Sequence, residues 1–278
     1  MGEAIVVGIT DAAASRRAVD WAAQRAAERR QPLELLAVVG GTTGAVGEGP
    51  IVEAALAEAQ VRAEVEASRI AGGLDVRTRV ERGNPVTRLV EASEGAALLV
   101  IGSDYRGPGT KASRGAHGLR IAAGAHSPVV VVPDFDVAGR SGVVVGVDGS
   151  PAGEKAVAFA AAEADRLREP LVAVSVWTPL EVPRNMGVYP AEYLENLAHL
   201  TEEAQAISLA GLRSQYPDLQ IVHTVERGYP SQIINELAAK ARLAVVGSHG
   251  RGALARFLLG SISQEVLAHL GTVTAVVR

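Results

Sequence analysis

The stretch "ERGYPSQIINELAAKARLAVVGSHGRG", residues 226–252, decides how this chain folds. It leaves a polar strand, passes Pro230 into an amphipathic run, and reaches Leu243-Ala244-Val245-Val246, apolar at every position. A short run without polar alternation marks a parallel strand covered on both faces. Gly247 and Gly250 follow, and Gly260 then precedes Ser261 and the helical pattern "SISQEVLAHL". A helix between two such strands, followed by a glycine loop and a further helix, belongs to a doubly wound α/β domain.

The same stretch occurs twice. "ERGNPVTRLVEASEGAALLVIGSDYRG" (81–107) matches it at 12 of 27 positions at a constant offset of 145. Unrelated chains of ordinary composition would share roughly two. Working outward, "AIVVGITDAAASRRAVDWA" corresponds to "GVVVGVDGSPAGEKAVAFA", and "SPVVVVPD" to "GTVTAVVR". A repeat this long exceeds the roughly 20–50 residues of solenoid units, so it predicts two tandem domains, 1–138 and 139–278. Their joint lies in "PDFDVAGRSG" (133–142), which has Pro and Gly and no periodicity. In the second half the patterning predicts strands at 142–147, 171–177, 219–225, 243–247 and 272–277. Helices are expected near 151–168, 190–214, 230–241 and 261–270.

Composition narrows the function classes. With 48% hydrophobic and 21% charged residues the chain is a globular protein, and with 4% aromatics its cores are built from Ala, Val, Leu and Ile. A net charge of −4 with no single-sign run argues against a nucleic-acid partner. No cysteine is present, which removes thiolate metal sites, disulfides and cysteine nucleophiles. "MGEAIVVGIT" lacks the basic and apolar regions of a signal peptide, and no apolar run reaches about 20 residues; a cytoplasmic location without a membrane partner is expected.

Ligands of doubly wound sheets bind beyond the carboxyl ends of the strands, near the switch point. Gly247, Gly250 and Gly260 suit a loop that takes positive φ and turns its N–H groups toward an anion. At the helix start Gly260, Ser261, Ile262 and Ser263 offer donors to a phosphate. The same residues also read as a capping box, with Ser261 as N-cap and Gln264 reaching back. Asp148 ends the first strand of this half, where a carboxylate accepts hydrogen bonds from ribose or base. Ser150, just before Pro151, is the better helix cap and leaves Asp148 available. Arg251 and Arg256 flank the loop as candidate partners of phosphate charge. His249 lies inside it.

"VVGVDGSPAGEKAVAFA", the "VERG.P" segment and G-x2-G-x9-G-S (Gly247, Gly250, Gly260, Ser261) resemble the universal stress protein family, in its ATP-binding branch. The resemblance covers essentially the whole chain. It implies in each half a five-stranded parallel sheet, order 3-2-1-4-5, with helices on both faces. It implies ATP or another adenine nucleotide at the carboxyl edge, usually with a divalent ion such as Mg or Mn. By this resemblance Asp148, with Gly146 before it, lies near base or ribose, and Val176 contacts the base through its backbone. The glycine loop and Ser261 hold the phosphates. A stress-response regulator or interaction module, assembled as a homodimer, is the implied role.

The first half departs from the pattern. Gly8, Val38, Gly102 and Gly115 mark a weaker second nucleotide site, but Tyr105 and Ala116 replace the second glycine and the serine. Thr10 stands where Asp148 stands in the other half. Arg106 and Lys111 are the residues able to compensate. No H-E-x-x-H, G-x-S-x-G or P-loop occurs, so no catalytic residue is assigned. Slow ATP hydrolysis or autophosphorylation is the alternative reading, and a nucleotide-free scaffold the second.

Overall fold

A computed structural model describes residues 3–40, 49–107, 115–179, 191–250 and 259–278. The chain divides into two compact units, Met1–Asp136 and Val137–Arg278. In the first unit the order is β1 (Ala4–Ile9), α1 (Ala13–Arg29), β2 (Leu33–Val39), α2 (Gly49–Ile70), β3 (Val76–Arg82), α3 (Pro85–Ala92), β4 (Ala96–Gly102), α4 (Gly115–Gly124) and β5 (Val129–Val132). The second unit repeats it with β6 (Val143–Gly146), α5 (Pro151–Leu167), β7 (Leu171–Trp177), α6 (Ala191–Ser208), the short α7 (Leu212–Gln215), β8 (Ile221–Arg227), α8 (Pro230–Ala238), β9 (Leu243–Gly247), α9 (Ser261–Ala268) and β10 (Val273–Val277).

Within each unit the strands pair in parallel in the order 3-2-1-4-5, as β3-β2-β1-β4-β5 and β8-β7-β6-β9-β10. The inner strands are buried because their residues are apolar on both faces, as in "VVVG" of β6 and "LAVVG" of β9. The outermost strands β3 ("VRTRVER") and β8 ("IVHTVER") carry charges and stay half exposed, which blunts an open edge. Right-handed crossovers place α1 and α2 on one face and α3 and α4 on the other; α1 touches α2, and α3 touches α4. Likewise α8 packs on α9 and against β6, β7 and β9. The strand order reverses between β6 and β9, so the loops after these two strands face each other at the switch point. Among the described residues no helix is long and apolar enough to cross a membrane.

Several boundaries differ from the patterning. The helix expected over 190–214 breaks into α6 and α7 at Gly211, whose φ of 87° no helix interior accepts. The strand expected at 219–225 runs at 221–227, because Asp218 and Leu219 belong to the preceding turn and Arg227 still pairs with Trp177. Helices α8 and α9 stop at Ala238 and Ala268, two to three residues early.

Candidate functional site

A cavity of about 470 Å³ opens at the carboxyl ends of β6, β7 and β9. That volume lies in the range of about 300–1,000 Å³ usual for small-molecule sites. Gly146, Asp148, Val176, Gly247, Gly250, Gly260, Ser261, Ile262 and Ser263 all line it. Arg251 and Arg256 lie outside the described residues. One end is apolar, walled by Val174, Val246 and Ile234; the other is formed by the glycine loop and the start of α9. Gly146 keeps the apolar end open, since a Cβ there would lie 3.0 Å from Ile234 Cδ1. Val147, Val174, Pro230, Ile234 and Val246 line the cavity without having been singled out in the sequence. Pro230 sits in the "ERG.P" segment shared by both halves, and Val147 and Val246 end the apolar strand runs, but no pattern marked Val174 or Ile234.

The geometry reassigns several residues. Neither Gly247, Gly250 nor Gly260 has a positive φ; Gly260 has φ −61°. Each is glycine because something approaches closely. A Cβ on Gly247 would lie 3.0–3.1 Å from the Ala152 and Gly153 backbone, so this glycine seats the start of α5 on β9. A Cβ on Gly250 would lie 3.0 Å from Asp148 Oδ2. Gly260 lets the loop close on itself: its N–H donates to Ser248 O at 2.8 Å and is therefore not offered to a ligand.

The capping box is also absent. Gly260 is the N-cap of α9, Ser261 is its first helical residue, and Gln264 Nε2 donates to Leu259 O at 2.7 Å. Ser263 Oγ donates to Gly247 O at 2.6 Å, so it braces the loop. What remains at this end is the backbone N–H groups of Ser261, Ile262 and Ser263, unpaired by helix geometry, and the exposed Ser261 side chain. Ser263→Ala is expected to cost about 1 kcal/mol in a denaturant titration by removing the brace.

Ser150 caps α5 as expected, accepting from Gly153 N at 3.0 Å. Asp148 is only half available, however. Its Oδ1 accepts from Ser150 N at 3.0 Å and Ser150 Oγ at 2.7 Å, while Oδ2 faces Gly250. Gly153 is small for this reason, because a Cβ there would collide with Asp148 Oδ1. Ser150 Oγ also reaches His249 O at 3.2 Å, tying the loop after β6 to the loop after β9. Ser248 Oγ lies 2.8 Å from His249 Nδ1 and holds that ring, which lines the cavity. Among the described residues no cluster of three metal-ligating side chains occurs. The cavity itself offers one carboxylate, already engaged on one oxygen, which does not make a resident metal site.

In the first unit Gly8, Val38 and Gly102 line a smaller cavity of about 250 Å³, and Gly115 opens α4. Gly102 plays the part of Gly247, with Ala14 and Ser15 backbone even closer to its would-be Cβ. Tyr105 does not intrude where the sequence placed it. It is 4% exposed, packed edge-on to Phe135 at 6.4 Å, and burial pushes its phenol pKa up. Arg106 is 3.0 Å from the Asp134 carboxylate, which also draws Arg17. Lys111 lies outside the described residues.

Comparison with known proteins agrees with both the duplication and the fold. The model of the universal stress protein family matches residues 1–133 and again 140–278. A universal stress protein of Mycolicibacterium smegmatis is 33% identical over 288 residues, covering 99% of this chain and 96% of the relative. One from Mycobacterium tuberculosis is 33% identical over 291 residues with the same coverage. Among solved structures, a universal stress protein from Archaeoglobus fulgidus aligns over 99% of this chain and 98% of its own with a TM-score of 0.72 at 20% identity, a likeness of fold. The chain belongs to the universal stress protein family.

Proposed function

We propose that this universal stress protein binds ATP in the second unit and acts as a nucleotide-dependent regulator or interaction module of a stress response. The observation that carries the reading is the single cavity that gathers an apolar slot, a carboxylate and a helix start. The slot between Val174, Val246 and Ile234 suits a purine ring, since flat apolar walls bury a π-face at little cost. The end of β7 at Val176 supplies backbone groups for the base edge. Asp148 Oδ2 suits the ribose hydroxyls, being the carboxylate oxygen not held by Ser150. The N–H groups at the start of α9, with the positive end of its dipole, suit the phosphates. A divalent ion would arrive with the nucleotide, bound to phosphate oxygens and water. Assembly as a homodimer belongs to the same reading, and light scattering at twice the chain mass would support it.

The test is calorimetric titration of the intact chain with ATP. Saturable binding at micromolar concentrations is expected, weakened about tenfold by Ser261→Ala as a hydrogen bond to a charged group is lost. Absence of binding up to millimolar ATP would overturn the reading. Recovery of intact ATP after single-turnover incubation is the outcome expected of a binding module; stoichiometric ADP would favour a hydrolase.

A further inference from the structure

The two sheets end differently at the switch point. In the first unit β1 pairs with β2 as far as Ile9 and Ala37, so the Ile9 carbonyl takes the Val38 N–H as the last rung. In the second unit the ladder stops one pair earlier, at Gly146 and Val174. Val147 N still donates to Val174 O at 2.8 Å, but the next rung, from Val176 N to Val147 O, is not made. Residues of a strand face its two neighbours in turn. Val174 O faces β6, while Trp177 O accepts from Gly228 N on the β8 side. The Val176 N–H therefore faces the β6 side, beyond the last rung. It has no partner there among the described residues, at the edge of the cavity that Val176 lines.

Ser175 accounts for the difference. Its buried Oγ donates to the Val147 carbonyl at 2.9 Å and so replaces the backbone donor. Gln205 of α6, 2% exposed, sets the direction of that bond, because its Nε2 donates to Ser175 Oγ at 3.1 Å. Nε2 also lies 3.1 Å from Ala173 O and 3.0 Å from Thr224 O, two acceptors that fix which end of the amide points this way. The other end, Gln205 Oε1, is 3.2 Å from His223 Nδ1. A chain of side-chain hydrogen bonds thus runs from β8 through α6 to the residue before Asp148. In the first unit Ala37 stands at the place of Ser175, and it has no hydroxyl to draw the carbonyl away.

We infer that Ser175, fixed by Gln205, is a positioning residue of the nucleotide site: it takes the Val147 carbonyl out of the sheet, so that the Val176 N–H is presented as a donor to a ring nitrogen of the base. The first unit keeps the corresponding Val38 N–H in its ladder and presents no such donor. The inference rests on the function proposed for the second unit for what the donor meets.

Ser175→Ala in the intact chain tests this, and the variant should fold. Gln205 Nε2 keeps two carbonyls for its two hydrogens, and the Val147 carbonyl regains the backbone donor that Ile9 has in the first unit. In the unliganded chain, amide exchange at Val176 read by NMR is expected to slow at least tenfold in Ser175→Ala, because the N–H enters the ladder. A merely structural role gives the opposite sign, since a loosened strand exchanges faster. ATP affinity is expected to fall about tenfold, the size of one hydrogen bond. Ser175→Thr, which keeps the hydroxyl, is expected to hold both values within about twofold of wild type. Val176 exchange that is unchanged or faster in Ser175→Ala overturns the inference, and so does slowed exchange with unchanged ATP affinity. If ATP binds neither protein, the function proposed for the second unit fails instead, and the Val176 exchange rates still decide whether Ser175 opens the ladder.

Discussion

Gly102→Ala should unfold the first unit at denaturant concentrations the native chain tolerates, although it adds a single methyl group. The new Cβ would lie 2.5 Å from both Ala14 C and Ala14 O and 2.9 Å from Ser15 N. These are backbone atoms of the first turn of α1, so no side chain can rotate away. Either β4 or the start of α1 must shift, and both are fixed, β4 by pairing with β1 and β5 on its two sides. Overpacking of a tight core costs about 1–3 kcal/mol and more where backbone must move. We expect about 3–5 kcal/mol here, a large share of the roughly 5–15 kcal/mol that holds a domain folded. Gly247→Ala, with its nearest contacts at 3.0–3.1 Å, should cost about 1–2 kcal/mol. Hydrogen exchange resolved by unit is the right measurement, because a chain of two units need not unfold in one step. Equal exchange in β4 of Gly102→Ala and of wild type would show that the strand does not sit this close to the helix.

That pair of glycines shows what the sequence could and could not disclose. Strand runs such as "LAVVG" and the repeat at offset 145 were legible because burial on two faces leaves no polar residue in the pattern. The strand order came only with the family resemblance, and the pairing register was not read from the sequence at all. That the loops after β6 and β9 frame the cavity was legible too, because the strand order reverses between these two strands. The roles within the cavity were not. A glycine records that a side chain is excluded, not which neighbour excludes it. Gly247 faces α5 backbone, Gly250 faces a carboxylate, and Gly260 faces its own loop. A hydroxyl records a donor but not its acceptor: the Ser263 hydroxyl holds Gly247 O, which leaves only its backbone N–H at the cavity. Tyr105 was read only as the replacement of a loop glycine, whereas its ring packs on Phe135. Ile234 and Val174 went unnoticed since, in the sequence, a residue facing a cavity and one facing the core look the same.

Ser261→Asp separates a ligand site from a helix cap, because the two readings give this substitution opposite signs. Ser261 is exposed at the first position of α9 and has no assigned cap role. An aspartate there sits at the positive end of the helix dipole and should stabilise the unliganded second unit by about 0.3–1 kcal/mol. Were the loop and helix start only structural, that gain would be the whole effect. If the phosphates of ATP lie against this helix start, the new carboxylate faces like charge. One such pair at about 6 Å and an effective dielectric of 20 is worth roughly 3 kcal/mol. ATP affinity should therefore fall about a hundredfold while the melting temperature of the unliganded chain holds or rises. The loss should shrink as salt is raised, since the charges at the cavity mouth are open to screening. Adenosine, lacking the phosphates, should bind Ser261→Asp and wild type alike in the second unit. Titration of both ligands into both proteins reads all four values, and an ATP affinity unchanged by Ser261→Asp would place the phosphates away from α9.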